Sequence, residues 1–388
     1  MNWEKVKLED IAQVIAGQSP ESKYYNQEGN GLPFFQGKAD FGHETPIVRY
    51  WCTVTTKIAQ PKDILLSVRA PVGPTNICNQ ESCIGRGLAA IRVSSKLNHR
   101  YLYWWFKSFE EKLSDKGNGS TFSSITTKDI KELEVPLPPL EVQKQIADTL
   151  DKADELRKKD ELLLKKYDEL AQAIFYEMFG DPVENEKGWE VNVLGDFLDY
   201  IGDIGSNGSN EVVSKNLKMQ DTEDYAIMIR TTNLAANDFF KNIKYVSEET
   251  YNFFKKSKIY GGEIIMNKIG SAGDFWIMPK LNKPVSLGLN QLVIRLKNMS
   301  TQFLFYYLST PYGKQIIKAS LNGAVTKSIT KGAVKNLPII CPSLKLQNDF
   351  EMKISIIESL RKDSKLLLLK SEHLFNALIQ TSFNNDIR

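Results

Sequence analysis

Residues 135–150 read VPLPPLEVQKQIADTL, and residues 339–354 read IICPSLKLQNDFEMKI. The second stretch lies 204 positions after the first, and the two share one plan. An apolar, strand-like end leads to Pro138 or Pro342, then Leu140 or Leu344, then Gln143 or Gln347, and then a helical pattern. A chain that ends two segments with the same turn and the same helix has been duplicated.

Earlier matches support this. WEKVKLEDIAQVIAG (3–17) resembles WEVNVLGDFLDYIGD (189–203), and PFFQGKADF (33–41) resembles IMIRTTNLA (227–235). KDILLSVRAPVG (62–73) resembles GEIIMNKIGSAG (262–273), and YLYWWF (101–106) resembles FLFYYL (303–308). GSTFSSITTKDIKEL (119–133) resembles GAVTKSITKGAVKNL (323–337). The offset grows from 186 to 204 along the chain, so insertions fall in the early loops of the second copy. A period of half the chain is a duplication rather than a solenoid. Within each copy, short β-type runs (ILLSV and AAIRV; EIIMN and LVIRL) sit between Gly and Pro, followed by an aromatic helical segment. Trp104, Trp105, Tyr306 and Tyr307 are candidates for stacking on bases, but apolar residues at helical spacing more often face a core.

From Ile146 onward apolar residues step by seven. One row is Ile146, Ala153, Asp160, Tyr167, Ile174, and a second is Leu156, Leu163, Leu170. The later copies are Phe350, Ile357, Ser364, Ser371, Leu378 and Leu360, Leu367, Leu374. Together they form a coiled-coil seam, with a polar residue repeated at Asp160 and Ser364. A helix of roughly 35–40 residues is ~55–60 Å long and needs a partner for a narrow apolar stripe. The other copy is the simplest partner, and antiparallel pairing returns the C-terminus toward the first copy. The expected architecture is α+β: two repeated mixed α/β domains, 1–138 and 186–342, separated by an antiparallel pair of long coiled-coil helices, 139–185 and 343–388.

The chain has 388 residues, 42% hydrophobic and 25% charged, with a net charge of +3. That describes a globular protein of two or more domains. Residues 139–188 hold 8 basic and 13 acidic residues, a net of −5, while 189–342 hold 18 and 13, a net of +5. No apolar run reaches the ~18 residues of a membrane span, and MNWEKVKLED has no apolar signal region, so a cytoplasmic protein without membrane contact is expected. Four cysteines without a CxxC pair and three histidines argue against a zinc site and suit a reduced compartment.

The turn-and-helix segments, the GDIL-like strand with its Gly loop, the Gly-Ser/Thr-x-x-x-Ser-Ile-Thr segment and AIFYEMFGDP (173–182) together resemble the specificity (S) subunit of type I restriction-modification systems, over essentially the whole chain. The resemblance implies that each globular copy is a target-recognition domain reading one half of a split, asymmetric site in double-stranded DNA. It implies that the helices set the spacing and dock two methyltransferase (M) subunits, which bind S-adenosylmethionine, and that restriction/motor (R) subunits join them. It implies no cofactor and no catalysis in this chain. The second copy departs from the pattern in CPSLKLQ and in its last residues, TSFNNDIR.

The residues agree that no catalytic or metal site is carried here. No Asn/Asp-Pro-Pro-Tyr/Phe, GxxxxGK[ST], GxSxG or HExxH motif is present. Gly202-Asp203-Ile204-Gly205 reads as a turn. Reading bases requires forked or amide donors, and holding phosphates requires Lys, Arg, Ser and Thr. The duplicated loops supply both. The first copy offers Gln36, Lys38, Ser67, Arg69, Arg86, Thr121 and Ser123. The second offers Arg230, Thr231, Asn233, Lys268, Ser271, Asn290, Thr326 and Lys327. Gln36 and Arg230 occupy matching positions, as would suit different bases. The competing reading is a coiled-coil adaptor whose two globular domains bind proteins.

Overall fold

The computed structural model describes residues 3–116 and 124–383, which fall into two compact units. The first takes the described residues up to 163 and from 364 onward, and the second residues 164–363. Each unit thus takes one half of each long helix.

In the first unit a four-stranded antiparallel sheet has the order Ala12–Ala16, Leu88–Val93, Ile64–Ser67, Thr75–Ile77. Its side chains alternate between two cores, as the two-residue period of a strand requires. Ile64, Leu66, Ala89 and Ile91 face the helical core, which holds Tyr101, Trp104 and Trp105. Leu65, Leu88 and Ala90 face the other way, onto Phe35, Ala59 and Ile84 of a smaller five-stranded sheet. The aromatic helix His99–Lys116 is therefore a core element: Trp104 and Trp105 are 3% and 4% exposed, so they are not stacking platforms. A short antiparallel pair, Lys5–Lys7 with Glu134–Pro136, ties the start of the chain to the strand that feeds the first long helix.

The second unit repeats this plan. Its four-stranded sheet has the order Leu198–Gly202, Gln291–Leu296, Ile264–Asn267, Phe275–Ile277. Ile264, Met266, Leu292 and Ile294 face the helical core, and Ile265 and Val293 face the second sheet. Tyr307 is buried and Tyr306 half-buried, and the Tyr306 hydroxyl bonds Glu358 at 3.2 Å. Val191–Val193 pairs with Pro338–Ile340 as the first strands do. One ion pair is also duplicated: Arg92 holds Asp63 at 2.8 Å, and Arg295 holds Glu263 at 3.2 Å, each bracing the two central strands of its main sheet.

The repeated turn owes its form to a buried glutamine. Gln143 Nε2 donates to the Pro138 carbonyl at 2.8 Å and the Lys96 carbonyl at 3.0 Å, while its Oε1 accepts from the Asn98 amide at 2.8 Å. Gln347 Nε2 donates to Pro342 O at 2.8 Å, and its Oε1 accepts from the Ser300 amide at 2.9 Å. Each side chain is almost wholly buried. Each glutamine therefore joins the turn, the start of a long helix and the start of an aromatic helix. Tyr101 and Tyr307 close the same joint from beneath, their hydroxyls donating to the Pro136 and Pro338 carbonyls at 2.8 and 2.9 Å.

The long helices are Leu140–Phe179 and Leu344–Phe383. In the first unit Ala147 and Leu150, early in one helix, share a core with Phe375, Leu378, Ile379 and Phe383, late in the other. In the second unit Phe175 and Phe179 share a core with Phe350, Ile354 and Ile357. Within each unit the helix segments are thus antiparallel. The first expected row lies on the seam: Ala153, Phe350, Ile357, Ser364 and Ser371 are buried, and Ile146, Asp160, Tyr167, Ile174 and Leu378 are partly so.

The second expected row does not lie there. Leu156, Leu163, Leu170, Leu360, Leu367 and Leu374 are between 36% and 52% exposed. The row that closes the seam runs one residue later, through Gln143, Leu150, Arg157, Leu164, Ala171 and Met178, and it recurs as Gln347, Ile354, Arg361, Leu368, Phe375 and Ser382. The buried glutamine fixes the rotation of each helix, and every seventh residue from it must then face inward. Counting apolar residues favours the leucine row because the true row holds a Gln and an Arg. Arg157 fits by laying its guanidinium 5.5 Å from the Phe375 ring centroid while bonding Asp154 at 2.7 Å and Glu161 at 3.0 Å. Arg361 bonds Asp168 at 3.1 Å.

Ile354→Ala should therefore cost about 2–5 kcal/mol in urea denaturation of the isolated chain, whereas Leu367→Ala should stay within about 0.5 kcal/mol. The reverse order would restore the leucine seam.

Candidate nucleic-acid interface

In the first unit three segments meet where the strand Ile64–Ser67 ends. The Val68 amide donates to the Gly87 carbonyl at 3.0 Å, and the Ile125 amide donates to the Val68 carbonyl at 3.1 Å. Gly87 lies so close to the loop after Phe35 that a Cβ there would sit 2.4 Å from the Gln36 carbonyl oxygen, so a side chain at this position would push the segments apart. The result is a recess of about 250 Å³ lined by Gln36, Lys38, Ser67, Arg69 and Arg86 with Gly37, Ala70 and Gly87. Five sequence candidates from three separate stretches thus share one site. Gln36, Lys38, Arg69 and Arg86 are exposed, and among the described residues none of the three cations is held in an ion pair. Thr121 and Ser123 lie outside the described residues.

Ser67 is a correction. It is 1% exposed, and its hydroxyl donates to the Pro71 carbonyl at 2.9 Å, with Arg69 O at 3.2 Å. It shapes the turn that presents Arg69 and has no surface to offer a ligand. The loop carrying Gln36 is held by Asp40, whose carboxylate accepts from the Gln36 amide at 2.6 Å, the Gly37 amide at 3.2 Å and Arg49 Nε at 3.0 Å. Beside it opens a larger recess, about 810 Å³, lined by Tyr25, Phe34, Arg49 and Tyr50 together with Gln36 and Lys38. Sequence comparison missed Arg49 and Tyr50 because they fall in a stretch the second copy does not repeat.

The second unit builds the same junction with other side chains. The Lys268 amide donates to Asn290 O at 2.7 Å and the Ile329 amide to Lys268 O at 2.9 Å, matching the Val68 pair. A Cβ on Gly288 would meet the Ile229 carbonyl oxygen at 2.4 Å. Thr231 Oγ1 donates to Asn267 Oδ1 at 2.8 Å, and Asn267 Nδ2 to Ser271 Oγ at 2.8 Å, so the 231 and 271 loops are fastened together. Arg230 is half-buried, and its guanidinium donates to the Asn242 carbonyl. Ser271, Asn290, Thr326 and Lys327 are exposed at this end of the sheet or on the adjoining 322–328 turn, where Asn322 and Ser328 exchange backbone bonds at 2.8 and 2.9 Å.

Two candidates change role here. Asn233 is 3% exposed, and its Oδ1 accepts from the Arg230 amide at 3.2 Å, so it caps the helix Thr231–Ala236 and has no exposed surface. Lys268 is committed to Asp203 at 2.6 Å, which Lys331 also binds at 2.9 Å. Burial alone would raise the Asp203 carboxyl. The Lys268 and Lys331 ammoniums and the Ser206 hydroxyl outweigh it, holding the group well below the usual carboxylate range. Asp203 opens the short turn Ile204–Asn207, as the Gly-Asp-Ile-Gly reading expected.

Among the described residues no helix is long and apolar enough to cross a membrane. The model for the type I restriction modification DNA specificity domain matches residues 1–169 and again 186–357. The chain is 43% identical over 158 residues to the putative type I restriction enzyme MjaX specificity subunit of Methanocaldococcus jannaschii, a match covering 40% of this chain and 37% of that relative. It is 28% identical over 298 residues to the MjaIX specificity subunit of the same organism, covering 70% of this chain and 67% of the relative. A crystal structure of a type I restriction-modification S subunit from M. genitalium aligns over 100% of this chain and 97% of its own, with a TM-score of 0.62 and 17% identity, which shows a shared fold.

Because the folded Asp203 carboxyl titrates lower than the unfolded one, its contribution is complete above about pH 5 and fades as pH falls through the unfolded value toward the folded one. Asp203→Asn should lower stability by about 1–3 kcal/mol at pH 7, less than a fully buried pair because both lysines are partly solvated. It should also flatten the acid limb of stability against pH. An unchanged acid limb in urea titrations would assign the acid sensitivity elsewhere.

Proposed function

The chain belongs to the type I restriction modification DNA specificity family, with two copies of the specificity domain, and we propose that each copy reads one half of a split, asymmetric site in double-stranded DNA. The observation that carries this is the first-copy recess, where Gln36 stands among three exposed cations without an ion-pair partner among the described residues. That is the combination base reading requires: an amide that can pair with adenine N6 and N7, surrounded by charges that hold phosphates. The second junction offers Arg230 at the position of Gln36, with Ser271, Asn290, Thr326 and Lys327 around it. Arg230 reads a base by exchanging its contact with the Asn242 carbonyl, and an arginine fork suits guanine, so the two copies prefer different bases. Duplication of the backbone junction with divergence of the side chains is how one chain comes to read an asymmetric sequence.

In this reading the chain performs no chemistry. Methyl transfer belongs to two methyltransferase subunits that carry S-adenosylmethionine, and cleavage to restriction/motor subunits, in the cytoplasm. The long helices set the spacing between half-sites. Their outward leucines, Leu156, Leu163 and Leu170 on one and Leu360, Leu367 and Leu374 on the other, supply apolar surface on which the methyltransferase subunits dock.

Sequencing the methylated adenines in a host that expresses this chain with its methyltransferase should reveal a split motif, and Gln36→Ala should relax one half of it while Arg230→Ala relaxes the other. A continuous palindrome would count against two independent readers. Adding one helical turn to both long helices should lengthen the gap and leave both half-sequences intact. In the assembled complex log K should fall by ~0.9 per neutralised phosphate as log salt rises, and Lys38→Ala should reduce that slope by about one unit. A protein-binding adaptor would show no such slope.

A further inference from the structure

The loop that carries Gln36 and Lys38 continues beyond the recess. Its return segment is fastened to the main sheet, where the Ile77 amide donates to the Glu44 carbonyl at 2.8 Å and Asn76 Nδ2 donates to the Gly42 carbonyl at 3.3 Å. The Ile47 amide then closes the loop on the Asp40 carbonyl at 2.8 Å. The Glu44 side chain leaves this loop and crosses to the helices. One carboxylate oxygen meets the Arg100 guanidinium, and the other lies 3.4 Å from Lys158 Nζ on the first long helix. Both cations are themselves fixed to that helix. Arg100 Nε donates to both oxygens of Asp151 at 3.1 Å, and Lys158 binds Asp154 at 2.7 Å. Trp104 Nε1 donates to Asp151 at 2.7 Å beneath them.

The network is not a generic requirement of the fold. Among the described residues no ion pair links the second unit's reading loop to a long helix, and Arg230 instead ends on the Asn242 carbonyl of its own loop. Nor is it a loose surface pair. The Glu44 and Arg100 side chains are 32% and 21% exposed, and each carboxylate oxygen faces its own cation, so the geometry is over-determined.

We propose that Glu44 is a positioning residue for the first reading surface: through Arg100 and Lys158 it holds the 36–49 loop at a fixed distance from the first long helix, and so sharpens discrimination in the first half-site. The inference rests on the DNA-reading function proposed above. Its physical basis is the short range of hydrogen-bond readout: a contact group must be held within about 0.5 Å of its productive place. A loop that can tilt lets Gln36 reach wrong bases almost as well as right ones. Glu44 touches no DNA in this account and acts only through the loop.

The test uses the full chain assembled with its methyltransferase subunits and a pool of duplexes randomised across both half-sites. Base preferences are scored position by position for the parent, Glu44→Ala and Glu44→Gln, and Gln36→Ala marks which half belongs to the first copy. Glu44→Ala should lower the mismatch penalty in that half by about 3- to 10-fold, part of the discrimination one good base contact supplies. Preferences in the other half should not change. Glu44→Gln keeps the shape and loses the charge, and should fall between the two, which separates positioning from collapse of the fold. Equal losses in both halves, or parental preferences in Glu44→Ala, overturn the inference alone. A parent assembly that enriches no split sequence overturns the DNA-reading function and this inference with it.

Discussion

The buried glutamine at the head of each long helix is the constraint on which the rest of the structure depends. Gln143 and Gln347 have almost no solvent access, so their amide groups must find partners within the protein. Standing on the long helix, each glutamine finds them on two other elements at once: the proline turn and the N-terminus of the aromatic helix. Satisfying them fixes where the long helix begins, how it leaves the domain and which of its faces is turned inward. An apolar residue could fill the same space but would leave the Asn98 or Ser300 amide unsatisfied, at a cost of about 1–3 kcal/mol, and would not specify the rotation.

That rotation decides the seam. Counting from Gln143 in sevens gives Leu150, Arg157, Leu164, Ala171 and Met178, and counting from Gln347 gives the matching row. The seam therefore accepts an arginine in each helix while two rows of leucine remain on the outside. Arg157 is tolerated because its stem is apolar and its guanidinium finds Asp154, Glu161 and the face of Phe375. With Arg157 only 23% exposed and the outer leucines 36–52% exposed, these helices present apolar surface as well as bury it.

The proposed reading surfaces follow the same logic of fixed backbone and varied side chain. At both strand ends the same two backbone bonds join three loops: Val68 with Gly87 and Ile125, and Lys268 with Asn290 and Ile329. A glycine permits the close approach in each copy. On this frame the first copy leaves its cations exposed, while the second commits Lys268 and Lys331 to Asp203 and anchors Arg230 to its own loop. The two surfaces thus differ in how much positive charge they offer as well as in the polar groups they expose.

The duplication, the turn, the helix lengths and the loops that carry the candidate contacts were legible in the sequence, because each leaves a local pattern that repetition confirms, while the meeting of those loops at the strand ends came only from the fold. The buried aromatic helices could be read in the same way, since helical spacing of large apolar residues signals a core. What the sequence could not decide was orientation. Ser67 and Asn233 carry the same polar groups as their exposed neighbours, and only the packing around them shows that both are spent on backbone. The leucine row looked like the better seam, since hydrophobic count does not record a rotation fixed by a hydrogen-bonded glutamine. Arg49 and Glu44 lie in a stretch with no second copy to compare, and their partners, Asp40, Arg100 and Lys158, are brought together only by the fold. Pattern along the chain specified the elements, and the need to satisfy buried polar groups in three dimensions determined which side of each element faces a partner.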